Sequence, residues 1–343
     1  MHLMVTGNQG YIGPIVTRLA RARGHVVTGL DIGWFRDCLT TGVGEILPDR
    51  QISIDIRDVE PHHLDGIDAV IHLAGLSNDP MGALDARLTA DINGDATLRL
   101  GRLARTAGIR RFVFASSCSI YGAAGEAALD ETAAFNPVSA YAVSKVEAER
   151  GLSALADERF SPVFMRNATA YGMSPRLRFD LVLNNLVASG FTEGVIRVLS
   201  DGTPWRPLVH VEDIAAAAIA AAEAPREAVH NEAFNIGRND ANYRVSEIAG
   251  AVAACLPGTG IDVTGETGGD PRSYRVRFDK ALQHLPGFAP RWTIDAGAAE
   301  IAAWARSVGL GRGDWNTRAY IRLKQIRHAI ETGMLSGDTL RAV

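Results

Sequence analysis

The sequence predicts an α/β fold: a doubly wound parallel sheet, followed by a smaller mixed α/β C-terminal lobe. Three observations predict it. Short apolar runs alternate with segments of helical period through the first half of the chain. Gly7, Gly10 and Gly13 stand directly behind the first of those runs. The alternation then fades after Tyr171, where Pro175, Pro204, Pro207 and several arginines interrupt it.

The elements follow in order. Residues 3–6 read as a short buried strand, and residues 11–23 as a helix stopped by Gly24. A second strand over 25–30 ends at Asp31, and 52–54 reads as a third. "DAVIHL" at 68–73 is a fourth. A long helix is expected over 84–107, stopped by Gly108. "RFVFA" at 111–115 is a fifth strand, 141–156 a helix and 163–166 another strand. Parallel strands of this kind need crossover helices on both faces of the sheet. Beyond Tyr171, "IAAAAIAAAEA" from 214 is a strong helix former. "AFNIG" at 233–237 reads as a strand returning to the sheet, and 245–256 as a helix. Residues 258–276 mix strand and loop, and "RAYIRLKQIRHAIETG" puts a helix in the tail. These runs divide the chain into a first domain over 1–171, with returning segments near 206–237. A second lobe takes 172–205 and 238–310, and a helical tail 311–343.

Composition narrows the function classes. The chain has 343 residues, 47% hydrophobic and 22% charged, with a formal charge of −4. That balance gives no basic surface for nucleic acid or an anionic membrane. No apolar run reaches the ~18 residues of a membrane-spanning helix. The start of the chain carries no cationic leader pattern. Three widely spaced cysteines, Cys38, Cys118 and Cys255, fit a reducing cytoplasm and no disulfide framework. His62 and His63 are adjacent, His72 and His210 stand alone, and none has metal-ligand spacing, so no metal is expected.

The glycine loop carries the first chemistry. A helix N-terminus presents free N–H groups and a partial positive charge, which favour phosphate. Glycines there permit a tight turn and close approach of a pyrophosphate. Pro14 falls in the first helical turn, where its missing N–H costs nothing. Asp31 ends the second strand, 18 residues past Gly13. A carboxylate there accepts both ribose hydroxyls of an adenosine and repels a 2′-phosphate. Loop and acid together predict a Rossmann-type domain that binds NAD rather than NADP.

The second constellation is catalytic. Tyr141 and Lys145 in "SAYAVSK" lie four residues apart on one helix face. A phenol has a pKa near 10, so its use as a base at neutral pH needs a shift of ~3 units. A nearby ammonium and the positive ring of an oxidised nicotinamide have the right sign. "FASSCSIYG" puts Ser116 and Ser117 just past the fifth strand, where ligands of open parallel sheets sit. Each feature alone has an ordinary reading, as a turn, a helix-surface pair or a cap. Their co-occurrence in this order is far more specific.

With these motifs the chain resembles the extended short-chain dehydrogenase/reductase family, in its nucleotide-sugar epimerase/dehydratase branch. The resemblance runs from "VTGNQGYIG" to "GDPRSYRVRFD". It implies a dinucleotide loop at Gly7, Gly10, Tyr11, Ile12 and Gly13, and a ribose-binding acid at Asp31. It implies adenine-edge contacts at Asp55 and Ile56 and a strand end beneath the cofactor at Leu73, Ala74 and Gly75. Asn93 is implied near the nicotinamide. Ser117, Tyr141 and Lys145 are implied as the catalytic set. In the second lobe Asn185, Arg206, Asp270 and Arg272 are implied to hold a nucleotide-diphospho-sugar. Arginine suits a diphosphate because its planar fork matches it. Arg176 and Arg178 add charge nearby, or are solvated loop arginines. A homodimer through a four-helix contact, from 84–107 and 141–156, is also implied.

Which reaction follows depends on the residues after Ser117. Sugar dehydratases of the family carry an Asp-Glu pair there. This chain has Cys118 and Ser119, neither a competent carboxylic acid, so 4,6-dehydration is discounted. A 4-epimerase needs no such pair: C4 is oxidised, the keto-sugar rotates, and the same hydride returns. A nucleotide-sugar dehydrogenase or keto-sugar reductase would use the same site. A non-catalytic NAD-binding scaffold of this fold would keep the loop but not need the full Ser/Tyr/Lys set. "RNATAYG" and "SPRLRFD" depart from the family's usual sugar-pocket segments and point to an unusual sugar.

Overall fold

The structure, a computed structural model, describes residues 1–343 apart from 78, 83 and 267–271. Its centre is a parallel sheet of seven strands: β1 His2–Thr6, β2 Val26–Leu30, β3 Arg50–Ile52, β4 Ala69–His72, β5 Arg111–Ser117, β6 Ser161–Asn167 and β7 Glu232–Ile236. Their spatial order is β7-β6-β5-β4-β1-β2-β3. The order reverses between β1 and β4, and a crevice opens beyond the carboxyl ends of strands at such a switch point. Side chains alternate between the faces. Leu3 and Val5 enter one apolar core and Met4 the other, and all three are fully buried. Helices α1 Gly13–Ala22 and α2 Val211–Glu223 cover the first face. Ala96–Thr106 and Ala140–Ser153 cover the second.

Three sequence expectations are displaced. The third strand lies two residues earlier than 52–54, at the sheet's three-residue edge. The expected helix over 84–107 is interrupted: Ala86–Thr89 is α-helical, Ala90–Asp95 π-helical and Ala96–Thr106 α-helical again. The π segment brings Asn93 inward to bond both backbone groups of Leu76. Residues 172–207 are less irregular than their prolines suggest, because Val182–Glu193 is a helix. That helix, with Val245–Cys255 and Ile294–Val308, joins the same apolar core that lies on the first face of the sheet.

The tail is bound to the body of the molecule. Its helix is Arg322–Glu331, inside the expected stretch. Ile326, Ala329, Leu335 and Leu340 join the second apolar core. Among the described residues no helix is long and apolar enough to cross a membrane.

Candidate active site

A cleft of about 1160 Å³ lies over the switch point and extends from the sheet to the segments 178–186 and 197–206. Single ligand pockets run to about 1,000 Å³, so this one has room for a large ligand or for two side by side. Gly7, Gly10, Tyr11, Ile12, Gly13, Asp31, Asp55, Ile56, Leu73, Ala74 and Gly75 line one half. Ser117, Tyr141, Lys145, Asn185, Arg206 and Arg272 line the rest of it. Topology therefore gathers residues that are far apart in the chain. Asp270 lies outside the described residues.

The three glycines have different causes. Gly7 takes φ +72°, and a Cβ on it would sit 2.7 Å from the Ala74 backbone nitrogen. At Gly13 a Cβ would meet the Gly7 carbonyl oxygen at 2.4 Å. Both are small because the protein's own backbone passes there. At Gly10 a Cβ would have one heavy atom within 4 Å, the Gly7 oxygen at 3.1 Å. Gly10 faces the cleft, so its missing side chain leaves room for a ligand.

Asp31 is oriented before any ligand arrives. Its carboxylate accepts from the backbone N–H groups of Gln9 (3.0 Å) and Gly33 (2.8 Å). Burial pushes its pKa up, and those two N–H groups oppose the shift. Asp55 is gripped by Arg57, with Nη2 at 2.6 Å from Oδ2. Asn93 departs from expectation. It is buried behind the cleft wall, where it bonds Leu76 and Ser144. Its Oδ1 packs so close to Gly75 that a Cβ there would come within 2.8 Å. It shapes the 73–76 segment from behind and does not line the cleft.

Tyr141 and Lys145 sit in Ala140–Ser153, whose first turn is capped by the Ser139 hydroxyl (Ala142 N–H, 3.2 Å). Their i,i+4 spacing points both at the end of β5. The Ser117 hydroxyl, which accepts from the Ser119 N–H at 3.1 Å, stands beside the Tyr141 phenol and favours its ionised form. Lys145 Nζ donates to the Ala115 carbonyl at 2.7 Å and stands 5.7 Å from the Tyr141 ring centroid. Burial, aided by the Asp79 carboxylate, pushes the phenol up to about 12, against the pull of Ser117 and Arg178. Burial pulls Lys145 down to about 8, opposed by Glu149. In the protein alone the phenol therefore lies above its ordinary value, opposite in direction to the lowering expected of a base.

The two residues after Ser117 cannot act as acids. Cys118 is fully buried, its thiol donates to the Arg166 carbonyl at 3.1 Å, and burial raises its pKa. Ser119 is buried as well.

Arg178 and Arg176 are not solvated. Arg178 is buried, lines the cleft, pairs with Asp180 (2.8 Å) and donates to the Ser77 hydroxyl (3.0 Å). Arg176 is fully buried and pairs with Glu45. Nothing in the sequence singles out Asp79, which pairs with Arg272 and accepts from Ser139 beside the phenol. Nor does it single out Arg322, a tail residue that lines the cleft. His72 has the expected structural role: buried between Thr6 and Thr97, it is held neutral by burial, which pulls its pKa down to about 3. Among the described residues no cluster of His, Cys, Asp or Glu could hold a metal ion.

These residues fit a dinucleotide. The room over Gly10, the free helix N-terminus at Gly13 and the preset carboxylate of Asp31 match a pyrophosphate and an adenosine ribose.

Comparison with known proteins points the same way. The chain is 29% identical over 334 residues to the UDP-glucose 4-epimerase of Corynebacterium glutamicum, covering 91% of this chain and 97% of that protein. Its structure is similar to that of MoeE5 in complex with UDP-glucuronic acid and NAD (TM-score 0.78, 27% identity). That likeness covers 90% of this chain and 100% of MoeE5. It is also similar to the UDP-glucose 4-epimerase of Thermus thermophilus in complex with NAD (TM-score 0.75, 25% identity, 89% and 99% covered). The family model for NAD dependent epimerases and dehydratases matches residues 3–237, a span that holds the glycine loop, the strands of the sheet and the helix of Tyr141 and Lys145. By that match the chain belongs to the NAD dependent epimerase/dehydratase family.

Proposed function

We propose that the protein is an NAD-dependent epimerase that inverts C4 of a UDP-hexose, with Tyr141, Ser117 and Lys145 as its catalytic residues. One observation carries the reading. The Tyr141 phenol and Ser117 hydroxyl lie side by side at the end of β5 and line the cleft, with a locked thiol where elimination would need a carboxylic acid. The names of the relatives support uridine as the base and C4 as the carbon.

Bound NAD supplies the hydride acceptor and, after rotation of the keto-sugar, the hydride donor. Tyr141 takes the proton of the sugar hydroxyl and later returns it. Ser117 holds the reacting oxygen and relays its hydrogen bond to the phenol. Lys145, anchored on the Ala115 carbonyl, fixes the face of the helix and adds positive charge below the ring. Gly7, Gly10, Tyr11, Ile12 and Gly13 hold the pyrophosphate. Asp31 holds the adenosine ribose, and Asp55 and Ile56 the adenine edge. Leu73, Ala74 and Gly75 floor the cofactor. Asn185, Arg206 and Arg272 hold the sugar nucleotide. The first domain, over 1–171 with its returning segments, carries the cofactor, and the second lobe the substrate.

The test is purified protein with UDP-glucose, followed by proton NMR for the C4 epimer and by absorbance at 340 nm. The expected result is epimer with no accumulation of NADH. Stoichiometric NADH identifies a dehydrogenase instead, and the epimerase reading fails.

Lys145 gives a second expected result. Its folded pKa of about 8 lies below the ordinary lysine value of 10.5. Burying the charge therefore destabilises the fold fully below about pH 8, and the penalty is gone above about 10.5. The gap corresponds to ~3 kcal/mol, offset by ~1 for the lost bond to Ala115. Lys145→Met is expected to raise the melting temperature at pH 7 by roughly 4 °C while activity falls. Calorimetry at pH 7 and pH 10.5 checks this: the gain should vanish at the higher pH.

A dimer and a cytoplasmic location complete the proposal. Val143 is an exposed apolar residue in a shallow groove with Gly94, Leu98 and Gly151, between the two helices expected to meet a second copy. Light scattering on Val143→Arg should show a monomer where the parent is a dimer. The three cysteines are free.

A further inference from the structure

We propose that the C-terminal tail completes the cofactor site, with Arg322 supplying a positive charge to the phosphate-bearing part of the dinucleotide. The inference rests on the cofactor reading above. It assigns a role to a segment that lies outside the family match at 3–237.

Arg322 is 1% exposed, yet it is among the residues that line the cleft. It stacks over the Phe35 ring at 4.6 Å. Its contacts are main-chain carbonyls: Nη2 donates to Arg176 at 2.8 Å and Nη1 to Ala319 at 3.4 Å. Among the described residues no carboxylate lies within ion-pair distance of it. The nearby cations are already matched, Arg176 by Glu45 and Arg178 by Asp180. Burial and the Arg178 charge pull Arg322 down to about 10, which leaves it cationic at neutral pH. A desolvated cation with only carbonyl partners is costly, and an anion in the cleft would offset that cost. Its charge is felt both at Asp31, the ribose-binding acid, and at Asp180 of the Arg178–Asp180 pair, which sets it between the two ends of the cleft.

The rest of the tail braces the same end. Gln325 donates to the Trp34 carbonyl at 3.1 Å, and the Cys38 thiol to the Arg318 carbonyl at 3.5 Å. These fix the loop that follows Asp31. Farther on, the Thr339 carbonyl accepts from Arg57 at 2.8 Å, and Arg57 is the residue that grips Asp55. Tail contacts thus reach both segments proposed to hold the adenosine.

The test measures dissociation constants by calorimetry for NAD, ADP and adenosine on the full chain and on Arg322→Gln and Arg322→Lys. Arg322→Gln is expected to weaken NAD and ADP by roughly 30-fold, as for a lost charge-assisted bond, and to leave adenosine unchanged. Arg322→Lys should recover part of the loss. Equal weakening of adenosine, or no weakening of NAD, overturns the proposal. A parent protein that binds no NAD overturns the cofactor reading itself. Should Arg322→Gln fail to fold, hydrogen exchange on the parent decides. NAD is expected to slow exchange across 322–331, and unchanged exchange there overturns the proposal.

Discussion

Phenylalanine at position 141 is expected to lower kcat for epimerisation by about 10³-fold, near the middle of the range for loss of a positioned proton-transfer group. The change removes one oxygen from a helix position whose ring stays in place. Lys145 keeps its bond to the Ala115 carbonyl, and the Ser139 cap of the helix is untouched. Cofactor retention, read from the 260/280 nm absorbance ratio, should therefore stay within about twofold. Ser117 is left with a hydroxyl far less acidic than a phenol and cannot take over the proton. The pH dependence separates a chemical from a structural role. The unliganded phenol is pushed up to about 12 by burial and Asp79, so the parent rate should rise with pH as the phenol ionises. That rising limb should be missing in Tyr141→Phe. A variant keeping more than a tenth of parental turnover would remove Tyr141 from the mechanism. Ser117→Ala should cost less, because the phenol remains, and the double variant should be little worse than Tyr141→Phe.

Much of this site is legible in the sequence because its parts are local. The glycine loop, Asp31, Ser117 and the Tyr141/Lys145 pair each sit within a few residues of a strand end or on one helix face. Period and spacing place them, and the resemblance to the family chooses Ser117 over Ser116. What is not legible depends on distant partners. The sequence leaves Arg178 open between a charge for the substrate and a solvated loop arginine, and the choice depends on Asp180 and on Ser77, which is 101 positions away. Arg322 sits in a tail helix to which the sequence assigns no role, and its partner carbonyl at Arg176 is 146 positions away. Asn93 illustrates a third kind of failure. Its segment has helical period throughout, and period cannot register a π-helical bulge that turns one polar residue inward. The strand β3 is displaced because three residues at a sheet edge carry too little alternation to fix a boundary.

Alanine at Gly13 and at Gly10 should separate what the loop does for the fold from what it does for the ligand. At Gly13 the added methyl would lie 2.4 Å from the Gly7 carbonyl oxygen and 2.5 Å from the Asn8 Cα, both backbone atoms at the start of the sheet. Neither can move without shifting β1, which hydrogen-bonds β2 and β4 on its two sides. Gly13→Ala should therefore lose ~4 kcal/mol and roughly 10 °C of melting temperature, with cofactor binding lost as a consequence. At Gly10 the methyl meets only the Gly7 oxygen, at 3.1 Å, and otherwise projects into open cleft. Gly10→Ala should keep its stability within about 1 kcal/mol. Its affinity for NAD should nevertheless fall about 100-fold, because the methyl occupies the space where backbone and pyrophosphate approach each other. Calorimetric melting and NAD titration on both variants check the pair. If Gly10→Ala bound NAD as the parent does, the pyrophosphate would not lie over this loop. If Gly13→Ala were as stable as the parent, the close approach at Gly7 would not be what selects glycine there.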